Sequence, residues 1–281
     1  MTEGAAPIAH DTAALTAEQA LEIAIGAARG AAALLVERFG GPAAGLRAKS
    51  SATDMVSEAD EGAERAVVTF IRERRPDDAL VAEEGSQAAG RSGIHWYIDP
   101  LDGTTNYLYG IPHWAVAICC ADAHGALAGV VYDALRDELF SATRGGGARL
   151  GDRRIRVSDK TDLATALVAT GFAYVADARR VQARIIAGVL GEVRDVRRLG
   201  SASLDLAYVA SGRFDAYFES VDQPWDWMAG ALLVREAGGR VSELRPSQPG
   251  LPNIVATAPL IHDPLTRLLT NAVHSAQNSI D

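Results

Sequence analysis

"IDPLDGTTNYLYG", residues 98–110, places two carboxylates, Asp99 and Asp102, three residues apart with a proline and a leucine between them. Gly103, Thr104 and Thr105 follow at once, and the flanks are apolar or aromatic: Ile98 before, then Tyr107, Leu108 and Tyr109. Pro100 gives up a ladder hydrogen bond, so the strand ahead of it is expected to end there. Two carboxylates at that turn are either ordinary turn acids or a site. If they converge they repel, unless a positive group lies between them. A hard divalent cation with oxygen ligands is the natural filler. No histidine or cysteine pair has zinc-ligand spacing, so magnesium is the expected ion. Gly103, lacking a Cβ, lets a ligand approach the backbone. Thr104 and Thr105 would offer N–H groups at the start of a short helix, where anions bind.

The rest of the chain fits a globular protein. It has 281 residues, 48% hydrophobic and 22% charged, with a formal net charge of −9. That balance argues against a basic nucleic-acid-binding surface. The runs "RERR" (72–75) and "RDVRR" (194–198) read as solvated faces or strand ends. A phosphate could enter a cleft rich in Asp and Glu only if cations inverted its field. No apolar run reaches the ~18 residues of a membrane span. The opening stretch lacks a basic segment and carries acids among its apolar residues, so it does not read as a signal peptide. The only cysteines, Cys119 and Cys120, are adjacent. That suits small core residues on a strand rather than a disulfide framework, and a cytoplasmic protein is expected.

Thr16 and Gln19 form a capping box for a helix running to about Phe39, stopped by Gly40-Gly41. Ser57 caps a second helix, about 58–75, ended by Pro76. "ALVAEE" (79–84) and "HWYID" (95–99) read as strands, and "WAVAICCA", "ALAGVVYD" and "ELFSATRG" as an antiparallel meander with a hairpin near Gly151-Asp152. After about residue 160 strands and helices alternate, ending in helices near 225–239 and 263–276. The expected division is an α+β half over 1–160 with most candidate ligands and an α/β half over 161–281 completing the site. Acids recur where predicted strands end or helices begin: Glu83 and Glu84, Asp99 and Asp102, Glu219, Asp226, and Asp60 in the second helix. Strand ends are where α/β proteins build sites. Singly, each acid has an ordinary alternative, such as a helix cap for Asp226, a turn for Asp102 or a solvated end for Glu84.

Five stretches, in order over residues 47–239, resemble the inositol monophosphatase family. "WYIDPLDGTTNYLYGIP" is similar to its signature W-x-x-D-P-x-D-G-T-x-N-[FY]. "WDWMAGALLVREAGG" is similar to W-D-x-x-A-x-x-x-[IL]-x-x-E-A-G-G. "AKSSATDMVSEAD", "AEEGS" and "GSASLDLAYVASGRFDAYFE" match its N-terminal, Glu-Glu and substrate-side segments. The resemblance implies a layered αβαβα sandwich and a Mg²⁺-dependent phosphatase for myo-inositol monophosphate, usually a lithium-inhibited homodimer. It implies that Glu83, Asp99 and the Leu101 carbonyl hold one Mg²⁺, and that Asp99, Asp102 and Asp226 hold a second. A third, weaker ion would sit by Glu83. Thr104, supported by Asp60, would orient and help deprotonate the attacking water, and the backbone of Gly103 and Thr104 would receive phosphate. Glu219, Asp102 and the backbone at Ser201-Ala202 would meet the released alcohol; Asp226 borders both metal and substrate. Lys49 and Glu84 match a mobile N-terminal lid and the outer surroundings of the metals.

Ala82 departs from the family's usual glycine, Leu101 from its isoleucine, and Trp227 and Asp222 could reshape the alcohol pocket. Relatives with this metal site use histidinol phosphate, fructose 1,6-bisphosphate or 3′-phosphoadenosine phosphates, and some bacterial members partner the transcription machinery. No cysteine or histidine stands where a covalent nucleophile is needed; His113 reads as a packed or surface residue, with an acid role the alternative.

Overall fold

The structure, a computed structural model, describes residues 15–41, 47–48, 55–244 and 250–278. Helix α1 (Ala17–Arg38) starts at the capping box that the sequence predicts, with Thr16 and Gln19 bonded reciprocally. The short pair β1 (Arg47–Ala48) and β2 (Met55–Val56) precedes α2 (Glu58–Arg74), capped by Ser57. Strands β3 (Ala79–Ala82), β4 (Gln87–Ala88) and β5 (His95–Asp102) lead to α3 (Thr104–Leu108). The meander follows: β6 (Ala115–Asp122), β7 (Gly125–Asp133), β8 (Glu138–Thr143), β9 (Gly147–Leu150) and β10 (Arg153–Arg154). Next come β11 (Leu167–Thr170), α4 (Ala176–Val189), β12 (Asp195–Arg197), α5 (Ala202–Ala210) and β13 (Ala216–Glu219). The chain closes with α6 (Pro224–Glu236), β14 (Arg240–Glu243), β15 (Ile254–Thr257) and α7 (His262–Asn278).

Two sheets result. The first has eight strands in the order β10-β9-β8-β7-β6-β5-β3-β4, and the second five in the order β12-β11-β13-β15-β14. The first is antiparallel except where β3 runs parallel to β5. In the second, β12, β11 and β13 are parallel, and β15 and β14 add antiparallel strands at one side.

Strand alternation turns these sheets into layers. Val116, Ile118 and Cys120 of β6 face a core shared with α1 and α2, while Ala115, Ala117 and Cys119 face a second core holding α5 and α6. The adjacent cysteines thus point to opposite layers. In the second sheet Tyr217, Ala169 and Ala256 face α5 and α6, whereas Ala216, Phe218, Val168 and Val255 face α4 and α7. The order is helices, sheet, helices, sheet, helices: the αβαβα sandwich that the resemblance implies.

Two expectations change. Strand β5 does not stop at Pro100; it runs to Asp102, with a register shift between Asp99, opposite Ala117, and Asp102, opposite Ala115. A bulge accommodates a proline because the unpaired residue needs no ladder donor. And α1 is long and apolar enough, by length and composition, to cross a membrane. Its alanine stripe (Ala20, Ala24, Ala27, Ala28, Ala31) is instead buried in the first core. Scattered charges such as Glu22 and Arg29 interrupt its apolar residues without making it polar, which a search for unbroken runs does not register.

Candidate active site

Both sheets aim the carboxyl ends of parallel strands at one region. Ala82, the last residue of β3, is in register with Ile98, and the Glu83 N–H donates to the Ile98 carbonyl at 3.1 Å. Glu83 therefore follows its strand directly beside Asp99. Asp99 is 2% exposed, and its Oδ1 accepts the Leu101 N–H at 3.0 Å across the bulge. Burial, then the nearby charges of Glu83, Asp102 and Asp226, pushes its carboxyl well above the usual carboxylate range. Four acids from three elements thus share one electrostatic neighbourhood: Glu83 after β3, Asp99 and Asp102 on β5, and Asp226 in the first turn of α6.

Asp102 is held by the start of α5. Its Oδ2 accepts the Ser201 hydroxyl at 2.6 Å and both the N–H (2.7 Å) and hydroxyl of Ser203, and its Oδ1 accepts the Ala202 N–H at 3.3 Å. Burial raises its carboxyl, and the serine donors oppose that. Ser201 and Ala202, expected to meet the alcohol, are here donors to Asp102. Ser203 was not expected; its second contact was not readable from the motif. Asp226 is not the cap of α6, since that position is Gln223 with Pro224 behind it.

Gly103 takes a left-handed conformation (φ 97°) as the N-cap of α3 and provides no side-chain cap. A Cβ there would lie 3.0 Å from the His113 carbonyl and 3.3 Å from that of Gly200, so strain and space both favour glycine. The first N–H groups of a helix lack intrahelical acceptors and suit an anion. The Thr104 hydroxyl lies 3.1 Å from Asp60 Oδ1 and 3.0 Å from the Leu101 carbonyl. Asp60 is fully buried at the third position of α2, where its Oδ2 accepts both the N–H and the hydroxyl of Ser57. The same carboxylate closes the capping box and reaches Thr104.

Several neighbours were missed by sequence reasoning. Glu64, one turn after Asp60, is buried and accepts the N–H groups of Glu84 (2.6 Å) and Ser86 (2.9 Å), fixing the turn after β3. The Asp60/Glu64 spacing was a readable signal, because i and i+4 share a helix face. Asn106 donates to the carbonyls of His113 and Leu199, both at 2.8 Å, tying α3 to the loop before α5. His113 is 7% exposed and sits edge-on to Tyr208, and its Nε2 has no hydrogen-bond partner among the described residues. Glu219 ends β13; burial pushes its carboxyl up to about 7. Trp227 is partly buried against the second core, and Asp222 is exposed. Lys49 lies outside the described residues.

Among the described residues, no three His, Cys, Asp or Glu side chains already stand in a metal-holding arrangement. The donor chemistry still fits a hard cation: every candidate is oxygen, and Asp99 is buried among like charges. A cavity of about 490 Å³ lies elsewhere, between the 154–160 segment, the end of α6 and Leu260, and includes none of these residues.

Residues 16–280 match the inositol monophosphatase family. The chain is 43% identical over 225 residues to Nus factor SuhB of Escherichia coli (strain K12), covering 79% of this chain and 84% of that one. It is 45% identical over 188 residues to inositol-1-monophosphatase of Rhizobium meliloti (strain 1021), covering 66% and 71%. In structure it resembles the extragenic suppressor protein suhB from Bartonella henselae, with a TM-score of 0.82 and 38% identity, over 89% of this chain and 98% of that one.

Proposed function

The chain belongs to the inositol monophosphatase family, and from that premise we propose that it is a Mg²⁺-dependent phosphomonoesterase hydrolysing myo-inositol monophosphate to myo-inositol and phosphate. The observation that carries this reading is the Thr104–Asp60 pair set against the Leu101 carbonyl, close to the buried Asp99 and the acids around it. Glu83, Asp99 and the Leu101 carbonyl would hold one Mg²⁺, and Asp99, Asp102 and Asp226 another, with a third, weaker ion near Glu83. Bound Mg²⁺ supplies charge neutralisation for the phosphate, an acidified water and stabilisation of the leaving oxygen.

The chain's own groups do the rest. Thr104 Oγ1 orients the attacking water and takes up its proton as the hydroxyl proton moves toward Asp60 Oδ1. Ser57 keeps Asp60 aimed by binding its other oxygen. The N–H groups of Gly103 and Thr104 bind the phosphate oxygens. Glu219 and Asp102, with the Ser201-Ala202 backbone, meet the hydroxyls of the departing polyol. The displacement is direct, without a covalent phosphoenzyme. The reading includes a cytoplasmic homodimer inhibited by lithium.

A panel of phosphate monoesters compared by kcat/KM tests the substrate: myo-inositol 1-phosphate is expected to lead histidinol phosphate, fructose 1,6-bisphosphate and 3′-phosphoadenosine phosphate. A different leader replaces the substrate and leaves the chemistry. Chelation should abolish activity, and Mg²⁺ should restore it better than Zn²⁺; a zinc-dependent enzyme contradicts the hard-ligand assignment.

A second role, as a partner of the transcription machinery, has comparable support, because relatives this similar bear the name Nus factor. The two roles can coexist on one chain. Binding of the purified protein to purified RNA polymerase and its elongation factors tests it; Asp99→Asn should bind as wild type does, and no binding in either form rejects the role.

A further inference from the structure

Glu219 is held on two sides, and the hold bears on which leaving group the site accepts; this rests on the proposed placement of Glu219 against the departing alcohol. Strands β11 and β13 are parallel neighbours, with Thr170 in register with Phe218 and its hydroxyl donating to the Phe218 carbonyl at 2.8 Å. Gly171 thus emerges beside Glu219. A Cβ at Gly171 would lie 2.0 Å from Cδ and from both carboxylate oxygens of Glu219, so the carboxylate occupies the space that any other residue would fill. Tyr217, two residues earlier on the same face of β13, is fully buried and donates its hydroxyl to Glu219 Oε2 at 2.8 Å. Burial keeps the Tyr217 phenol protonated and therefore a donor. Behind them, Asp205 of α5 is 1% exposed, and its Oδ1 has no hydrogen-bond partner among the described residues. Burial and the charges of Glu219 and Asp102 push its carboxyl well above the usual range.

We propose that Tyr217 and Gly171 are positioning residues for leaving-group selection. They pin Oε2 and lay the carboxylate flat, so that Oε1 is the acceptor a hydroxyl-bearing alcohol meets. Esters of polyols with a free hydroxyl near the phosphate gain that bond; aryl esters, which have no such hydroxyl, do not.

Tyr217→Phe removes the pin and keeps the ring that fills the core. Gly171→Ala puts a methyl where the carboxylate lies. Each is compared with wild type on myo-inositol 1-phosphate and on p-nitrophenyl phosphate, at saturating Mg²⁺, with folding checked by circular dichroism. KM for the polyol ester should rise about tenfold, one such bond's worth, with the aryl ester within about twofold. The pH profile gives a second readout. Glu219 is faced by Tyr217 on its own strand, Asp205 on α5, Asp102 at the end of β5 and Arg198 ahead of α5. Because the Tyr217 bond favours the charged carboxylate of Glu219, losing it should move the pH dependence of the polyol KM upward. Equal losses on both esters, or an unchanged polyol KM in Tyr217→Phe, overturn the assignment while the phosphatase reading stands. A wild type that cleaves the aryl ester but not the polyol ester overturns the substrate reading and this inference together.

Discussion

Asp99 is the residue on which the proposed site turns. It is buried, hydrogen-bonded to the backbone across a bulge, and surrounded by Glu83, Asp102 and Asp226. Exchanging it for a neutral isostere has two consequences of opposite sign. Asp99→Asn should lower kcat/KM on the order of 10³-fold, ~4 kcal/mol, because the proposed bridge between two cations is lost. In chelator the same variant should melt at a higher temperature than wild type, since the fold no longer confines a charge among like charges. Kinetics at saturating Mg²⁺ and melts in EDTA check the two halves; wild-type turnover, or a lower melting temperature, counts against the assignment. Asp99, Asp102 and Thr104 could be picked out from the motif because the chemistry needs those residue types at that spacing. Ser203 and Gly171 could not, because each acts on a residue far away in the chain.

At the scale of elements, helix starts do double service. The capping box of α2 leaves one Asp60 oxygen for Ser57 and the other for Thr104, and the first turn of α5 receives Asp102. Ser57→Ala should cost about 1 kcal/mol of stability through the lost cap. It should also lower kcat with little change in KM, because Asp60 loses a tether while the phosphate and alcohol contacts stay. Urea unfolding and steady-state kinetics read these separately; a KM effect with normal kcat contradicts the Asp60 role. Capping boxes are local and could be read from four residues, as at Thr16-Gln19 and Ser57-Asp60. The end of β5 could not, since a proline stops a strand or sits in a bulge depending on what the neighbouring strand offers, and β6 lies beyond the turn.

For the molecule as a whole, five layers bring distant acids together and bury groups that resist charging. His113 is one of these: burial, and then Arg136, pushes its imidazole down to about 4 from 6.5. The unfolded chain takes up that proton first as pH falls. The His113 contribution to stability is therefore complete above about pH 6.5, declines toward pH 4 and levels off below it, by up to about 3 kcal/mol. His113→Leu, neutral throughout, should show a smaller loss between pH 7 and pH 4.5 (about the limits for urea titration). Parallel losses in the two proteins would remove His113 as the cause.

Periodicity and caps determined, from the residues alone, the two capped helices and the antiparallel meander, and one 13-residue stretch pointed to metal and phosphate. Those signals are short-range: alternation says that a strand is buried, and spacing says that two acids share a turn. Which face meets which layer, and that β3, β5, β11 and β13 end at one place, was decided only by the sheets. Register between strands is what sets Glu83 beside Asp99 and Gly171 beneath Glu219, and register is a property of pairing across the chain, not of any stretch within it.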